Sequence, residues 1–93
     1  QVVLVYLGAP GKEAALKVWQ GLLSRGIRAQ IGFGDRSMKA QMRGANRLGA
    51  RYALIIGEQE LNEGVAVLND LTGEQPERRL ALDGIAAAVA ALL

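Results

Sequence analysis

Seven basic residues lie between Arg25 and Arg51 (Arg25, Arg28, Arg36, Lys39, Arg43, Arg47 and Arg51), with a single acid, Asp35, among them. Lys39, Arg43 and Arg47 recur every four residues, which on a helix sets three cations in one ridge, and Arg36 stands just ahead of it. Such a ridge is suited to neutralising the phosphates of a polyanion. The same residues also make an ordinary solvated helix face, because Lys and Arg are common there. Further along, Glu58 to Asp70 holds four acids and no base. Glu58 and Glu60 follow an apolar run closed by Gly57, so they either cap a solvent-facing turn or accept hydrogen bonds from a base amino group.

Other chemistry is poorly provided for. The chain has no histidine and no cysteine, so neither Ser24 nor Ser37 can be paired with an imidazole base, and there is no thiolate nucleophile or zinc-finger spacing. Glu58, Glu60 and Glu63 lack the layout of a calcium loop, and no metal site is expected. Gly8-Ala-Pro-Gly-Lys12 follows a strand and opens a helix, but Tyr6 stands where a phosphate loop needs its first glycine and Glu13 where it needs Ser or Thr. Gly32-Phe-Gly34-Asp-Arg-Ser37 lacks the third glycine of a dinucleotide fingerprint. Both glycine segments read as turns. With no cysteine, a reduced, cytoplasmic setting is expected.

The elements that must carry these residues follow from pattern. Val2 to Leu7 is an apolar, β-branched run that predicts a strand buried on both faces, and Gly8 to Gly11 predicts a turn after it. Apolar positions from Ala15 to Leu23 at helical spacing predict a helix over Lys12 to Ser24, stopped at Gly26. Ile27 to Phe33 alternates as a strand near an edge. Ser37 offers an N-cap to a second helix ending near Leu48-Gly49, with Met38, Met42, Ala45 and Leu48 on its packed face. Tyr52 to Ile56 is a third strand, and Glu58 to Glu63 one helical turn before Gly64. Val65 to Leu68 and Glu74 to Leu82 are strands joined by Asp70-Leu-Thr-Gly73, with Pro76 marking an edge, and Asp83 caps a last helix. Trp19 and Tyr52 fall at core spacing.

The order β-α-β-α-β-β-β-α predicts a three-layer α/β/α sandwich on a five-stranded mixed sheet. A chain of 93 residues supports one such core, residues 1–93 as a single domain. Its 51% apolar and 22% charged content fits a globular fold. The longest apolar run, Ile85 to Leu93, is about half of the roughly 20 residues a bilayer crossing takes, so no membrane partner is expected. That run is either a covering helix or a docking and dimerisation element. The chain opens on Gln1-Val-Val-Leu without an initiator Met, and it is expected to be excised from a larger protein.

Gly34-Asp-Arg-Ser-Met-Lys-Ala-Gln41, Ala45-Asn-Arg-Leu-Gly-Ala-Arg-Tyr52, Ile56-Gly-Glu-Gln-Glu60 and Asp70-Leu-Thr-Gly-Glu-Gln75 resemble the C-terminal anticodon-binding domain of histidyl-tRNA synthetase, a domain shared among class IIa synthetases. The resemblance runs nearly end to end. It implies the five-stranded mixed sheet already read from pattern, a role in docking a tRNA anticodon loop, and a separate catalytic domain that uses ATP in a homodimeric parent. This domain would then carry no catalytic residue and no cofactor. Carried over residue by residue, the tRNA-binding set is Arg36, Ser37, Lys39, Arg43, Glu58, Glu60 and Asn69, the cations on phosphates and Glu60 and Asn69 on base edges. The family usually has lysine where this chain has Ala40 and Asn69, which implies a shallower salt dependence here. Two other readings stay open from sequence: a dimerisation or regulatory module that has lost tRNA binding, and a flavodoxin-like small-molecule binder using the two glycine segments.

Overall fold

The computed structural model describes residues 1–32 and 37–93. Its elements are β1 (Val2–Tyr6), α1 (Gly8–Ser24), β2 (Ala29–Ile31), α2 (Met38–Arg47), β3 (Tyr52–Ile56), α3 (Glu58–Glu63), β4 (Val65–Asp70), β5 (Arg78–Ala81) and α4 (Ile85–Leu92). The sheet order is β2-β1-β3-β4-β5. β1 runs parallel to β2 and β3, and β4 is antiparallel to both β3 and β5. This is the mixed five-stranded sheet expected from the element order.

The two faces are covered unequally. Val2, Leu4, Tyr6, Leu54, Ile56 and Leu68 pack with Ala15, Val18 and Leu22 of α1, Leu61 of α3, and Ile85 and Val89 of α4. On the other face Val3, Val5 and Ala53 meet a single helix, α2, through Ala45, Met38 and Met42. That helix lies against β1. Val65, Val67 and Asn69 of β4 point to the α2 face and stay half-exposed, whereas Ala66, Leu68 and Asp70, pointing the opposite way, are buried.

Several boundaries differ from the sequence reading, each for a local reason. α1 starts at Gly8 instead of Lys12. Pro10 is tolerated in a first turn, where its missing N–H would have had no helical partner. Gly11 belongs to this turn because a Cβ there would sit 3.2 Å from the Ile56 carbonyl oxygen. β2 is only three residues long, and Phe33, where the expected strand ended, lies outside the described residues. Of the four apolar residues assigned to the packed face of α2, Leu48 is instead 59% exposed, because it falls past the helix end on a flank that no other element covers. β5 begins at Arg78, so Pro76 precedes the edge strand. α4 is capped by Gly84 and not by Asp83. The reversal from β5 into α4 needs φ of +76° at residue 84, a conformation that glycine adopts without steric cost. No described helix is long and apolar enough to cross a membrane.

Candidate nucleic-acid interface

The three parallel strands run the same way, β2 stopping two residues short of the others, and α1, α2 and α3 all begin at their carboxyl end of the sheet. Open α/β sheets generally place ligands there. α2 is held in place by two devices. Ser37 has extended backbone (φ −64°, ψ 157°), and its hydroxyl oxygen accepts from the Ala40 N–H at 3.1 Å, which is N-cap geometry. One turn further, the Gln41 amide is bonded twice to one residue of β1. The Tyr6 N–H donates to Gln41 Oε1 at 3.0 Å, and Gln41 Nε2 donates to the Tyr6 carbonyl at 2.6 Å. β2 has ended at Ile31, opposite Leu4, so Tyr6 has no strand neighbour on that side. The Gln41 side chain takes the place of the missing strand.

With α2 fixed in this way, Lys39, Arg43 and Arg47 are all exposed, and none makes an ion pair among the described residues. Successive members of the ridge rise about 6 Å along the helix axis. Arg36 lies outside the described residues. Glu58 is exposed in the first turn of α3. Glu60 is half-buried and folds back to accept from the Gly57 N–H through Oε1 at 2.9 Å. Glu60 therefore caps its own helix with one oxygen and keeps Oε2 for another donor. A Cβ at residue 57 would lie 2.5 Å from that Oε1 and 3.9 Å from Met38 Cε, so glycine is what lets the starts of α2 and α3 meet around the carboxylate.

Ser37, Glu58 and Glu60 are thus brought to one end of the sheet. Asn69 is not among them. It pairs with Ala53, three residues before the end of β3, which is about 10 Å down the strand. It lies on the uncovered part of the α2 face, so a ligand touching both Glu60 and Asn69 must run along the sheet.

Two groups of residues act here without having been assigned a role from sequence. Gln41 is one, and its partner is 35 residues away in the chain, beyond any local pattern. The other is a lock in the Asp70-Leu-Thr-Gly-Glu segment. Asp70 Oδ1 accepts from the Thr72 hydroxyl at 2.6 Å, the Thr72 N–H at 2.9 Å and Arg51 Nε at 3.3 Å. Arg51 also reaches Glu74 at 3.6 Å and lies 5.2 Å from the centre of the Tyr52 ring. The Thr72 hydroxyl is the main reason that the Asp70 carboxyl is held below the usual carboxylate range, with Arg51 adding to it against the opposing effect of burial. The hydrogen bond to Asp70 in turn raises the Arg51 guanidinium. This lock sits at the opposite end of the sheet from Ser37 and Glu60, and it shapes the turn into β5. The signal that could have found it was Asp two residues before Thr, the spacing of an Asx turn.

The family model described as "Anticodon binding domain" matches residues 1–92. A histidine–tRNA ligase of Saccharopolyspora erythraea is 44% identical over 89 residues, covering 95% of this chain and 21% of that protein. One of Desulfatibacillum aliphaticivorans is 41% identical over 93 residues, covering 96% of this chain and 22% of that protein. Among solved structures, the apo histidyl-tRNA synthetase of S. aureus superposes with a TM-score of 0.84 at 28% identity, over 95% of this chain and 25% of that one. The chain spans about a fifth of the length of the curated relatives it matches. The chain belongs to the anticodon-binding domain family, in the form that histidyl-tRNA synthetases carry.

Proposed function

We propose that this domain docks the anticodon loop of a histidine-accepting tRNA for a synthetase whose separate, ATP-using catalytic domain carries out aminoacylation in the cytoplasm, with the parent enzyme a homodimer. The observation that carries this reading is the α2 ridge: Lys39, Arg43 and Arg47 are exposed, stepped along one helix and without carboxylate partners among the described residues. Charges left unpaired within the fold are available to phosphates, and their helical stride suits successive phosphates of one strand. Arg36 and Ser37 extend the phosphate contacts at the helix start, and Glu58, Glu60 and Asn69 face unstacked bases. Oε2 of Glu60 is the acceptor in this scheme, since Oε1 is committed to Gly57.

Titration of the 93-residue domain with a histidine-tRNA anticodon stem-loop at two salt concentrations tests the reading, with an altered-anticodon hairpin as control. Affinity is expected to fall with salt and to favour the cognate loop. Arg43→Gln should reduce the log–log salt slope by about 0.7, the value for one phosphate contact to a single strand. Glu60→Gln should change the ranking of anticodon loops. Equal binding of both hairpins by Glu60→Gln and parent alike would remove the base-reading role. Binding of neither hairpin by the domain or by its full-length parent would favour a dimerisation or regulatory module.

A further inference from the structure

A groove runs along the other flank of α2, away from Glu60 and Asn69. It consists of two adjoining cavities, of about 450 and 240 Å3, that share Val3, Gln30 and Leu48. The helix wall is built from Ala40, Gly44 and the exposed Leu48, one residue every turn, and the opposite wall is the edge strand β2. Arg28 lies at the far end. Arg43 and Arg47 stand on the rim, each three residues from a wall residue, which is the spacing of neighbours on a helix surface. No carboxylate lines either cavity among the described residues.

We propose that this groove is a second nucleotide site, which takes one unstacked base of the RNA strand whose phosphates lie on the α2 ridge. The inference rests on the RNA-docking reading above and adds a base-sized seat beside the ridge, on the flank away from Glu60 and Asn69. Val3 and Leu48 offer apolar contact to the flat face of a base. The exposed Gln30 amide offers both a donor and an acceptor to its edge. Arg28 and the rim arginines supply the charge for the flanking phosphates.

An added peptide strand is the obvious rival for an edge of this kind, and the structure disfavours it. Trp19 Nε1 donates to the Ala29 carbonyl at 3.0 Å, and the Tyr6 hydroxyl donates to the Gly32 carbonyl at 2.6 Å. The first of these already occupies an edge carbonyl that a pairing strand would need, on a strand only three residues long, and the second ties down the backbone just past it.

Gly44→Leu is the direct test. Nothing lies within 4 Å of a Cβ at this position, and leucine favours helix over glycine, so α2 should form while the smaller cavity, the one Gly44 lines, is filled. Two probes are used on the parent and the variant: the histidine-tRNA anticodon hairpin, and each of the four nucleoside 5′-monophosphates at millimolar concentration followed by amide NMR. The expected result is hairpin binding weakened about tenfold, as for loss of one stacked base, with the salt slope lowered by no more than about 0.7, the value of the one Arg28 contact. Monophosphates should shift the Leu48 backbone-amide and Gln30 side-chain amide resonances in the parent and lose that effect in the variant. Equal hairpin affinity for parent and Gly44→Leu would overturn the groove site and leave loop docking intact. Hairpin binding by neither protein would overturn loop docking and the groove site with it. Slow exchange of the Gly44 and Leu48 amides in the RNA-free parent synthetase, against fast exchange in the isolated domain, would assign the groove to another part of that protein and also overturn the proposal.

Discussion

Gln41→Ala should destabilise the domain by about 2–4 kcal/mol although no apolar contact of the main core is touched. The glutamine amide satisfies both the N–H and the carbonyl of Tyr6, a residue only 5% exposed. Each buried backbone group left without a partner costs about 1–3 kcal/mol. The low end applies here, because Gln41 borders the groove beside α2 and some water can enter once it is shortened. Two groups at about 1–2 kcal/mol each give the total, a large share of the roughly 5–15 kcal/mol typical of a domain. At about 4–8 °C per kcal/mol for this size, Tm should fall by about 8–32 °C. Gln41→Met restores the volume but neither bond and should behave like alanine. Gln41→Glu keeps an acceptor for the Tyr6 N–H, yet it sets a carboxylate against the Tyr6 carbonyl and should be no better. Urea unfolding monitored by the single tryptophan, together with hydrogen exchange at the Tyr6 amide, measures both consequences. An unfolding free energy for Gln41→Ala and Gln41→Met within about 0.5 kcal/mol of the parent, with the Tyr6 amide still protected, would refute the view that this side chain substitutes for a strand.

Gly57→Ala should displace the Glu60 carboxylate, because the new Cβ would meet Oε1 at 2.5 Å. Stability should drop by about 0.5–1 kcal/mol for the lost capping bond, while the hairpin affinity of the freed carboxylate changes, a pairing readable by denaturation and titration on one sample. Asp70 makes stability depend on pH in a defined direction. Its folded-state pKa is lowered, so its contribution is fully present above the ordinary carboxylate value of about 3.9 and is lost as pH falls through the lower folded value. Asp70→Asn should therefore flatten the acid limb of a stability–pH curve. Thr72→Val, which removes the leading hydrogen bond, should move that limb to higher pH; an unchanged acid limb in both variants would mean that Asp70 titrates alike folded and unfolded.

The parts of the fold legible in sequence were those whose signal is local and repeated. Val2 to Tyr6 and Tyr52 to Ile56 are continuous apolar runs, and both are buried central strands. The four-residue period of Lys39, Arg43 and Arg47 placed the cationic ridge because a helix converts that period into a face. Glu58 to Glu63 was bounded by Gly57 and Gly64, and both glycines flank the helix as expected. What escaped depends on distant partners or on single-residue backbone conformation. The Gln41–Tyr6 pairing joins residues 35 apart. The exposure of Leu48 follows from where neighbouring elements stop, which its own helical position does not record. At Gly84 a left-handed residue replaces the side-chain cap that Asp83 promised. Of the candidate site, the placement of Ser37, Glu58 and Glu60 at one end of the sheet was legible, but not its extent, since the separation of Asn69 from Glu60 is a matter of strand register.

The unequal covering of the sheet separates two demands that many small domains must meet with the same residues. The close-packed side, with α1, α3 and α4, keeps the chain folded, and its residues have little freedom to change. The side with α2 is half bare, so substitutions on the ridge, on the groove wall or along the exposed part of β4 alter few packed neighbours. Under the proposed RNA-docking role, changes in RNA preference would come on that side at small cost to folding. The surface on that side can thus be changed while the core stays fixed.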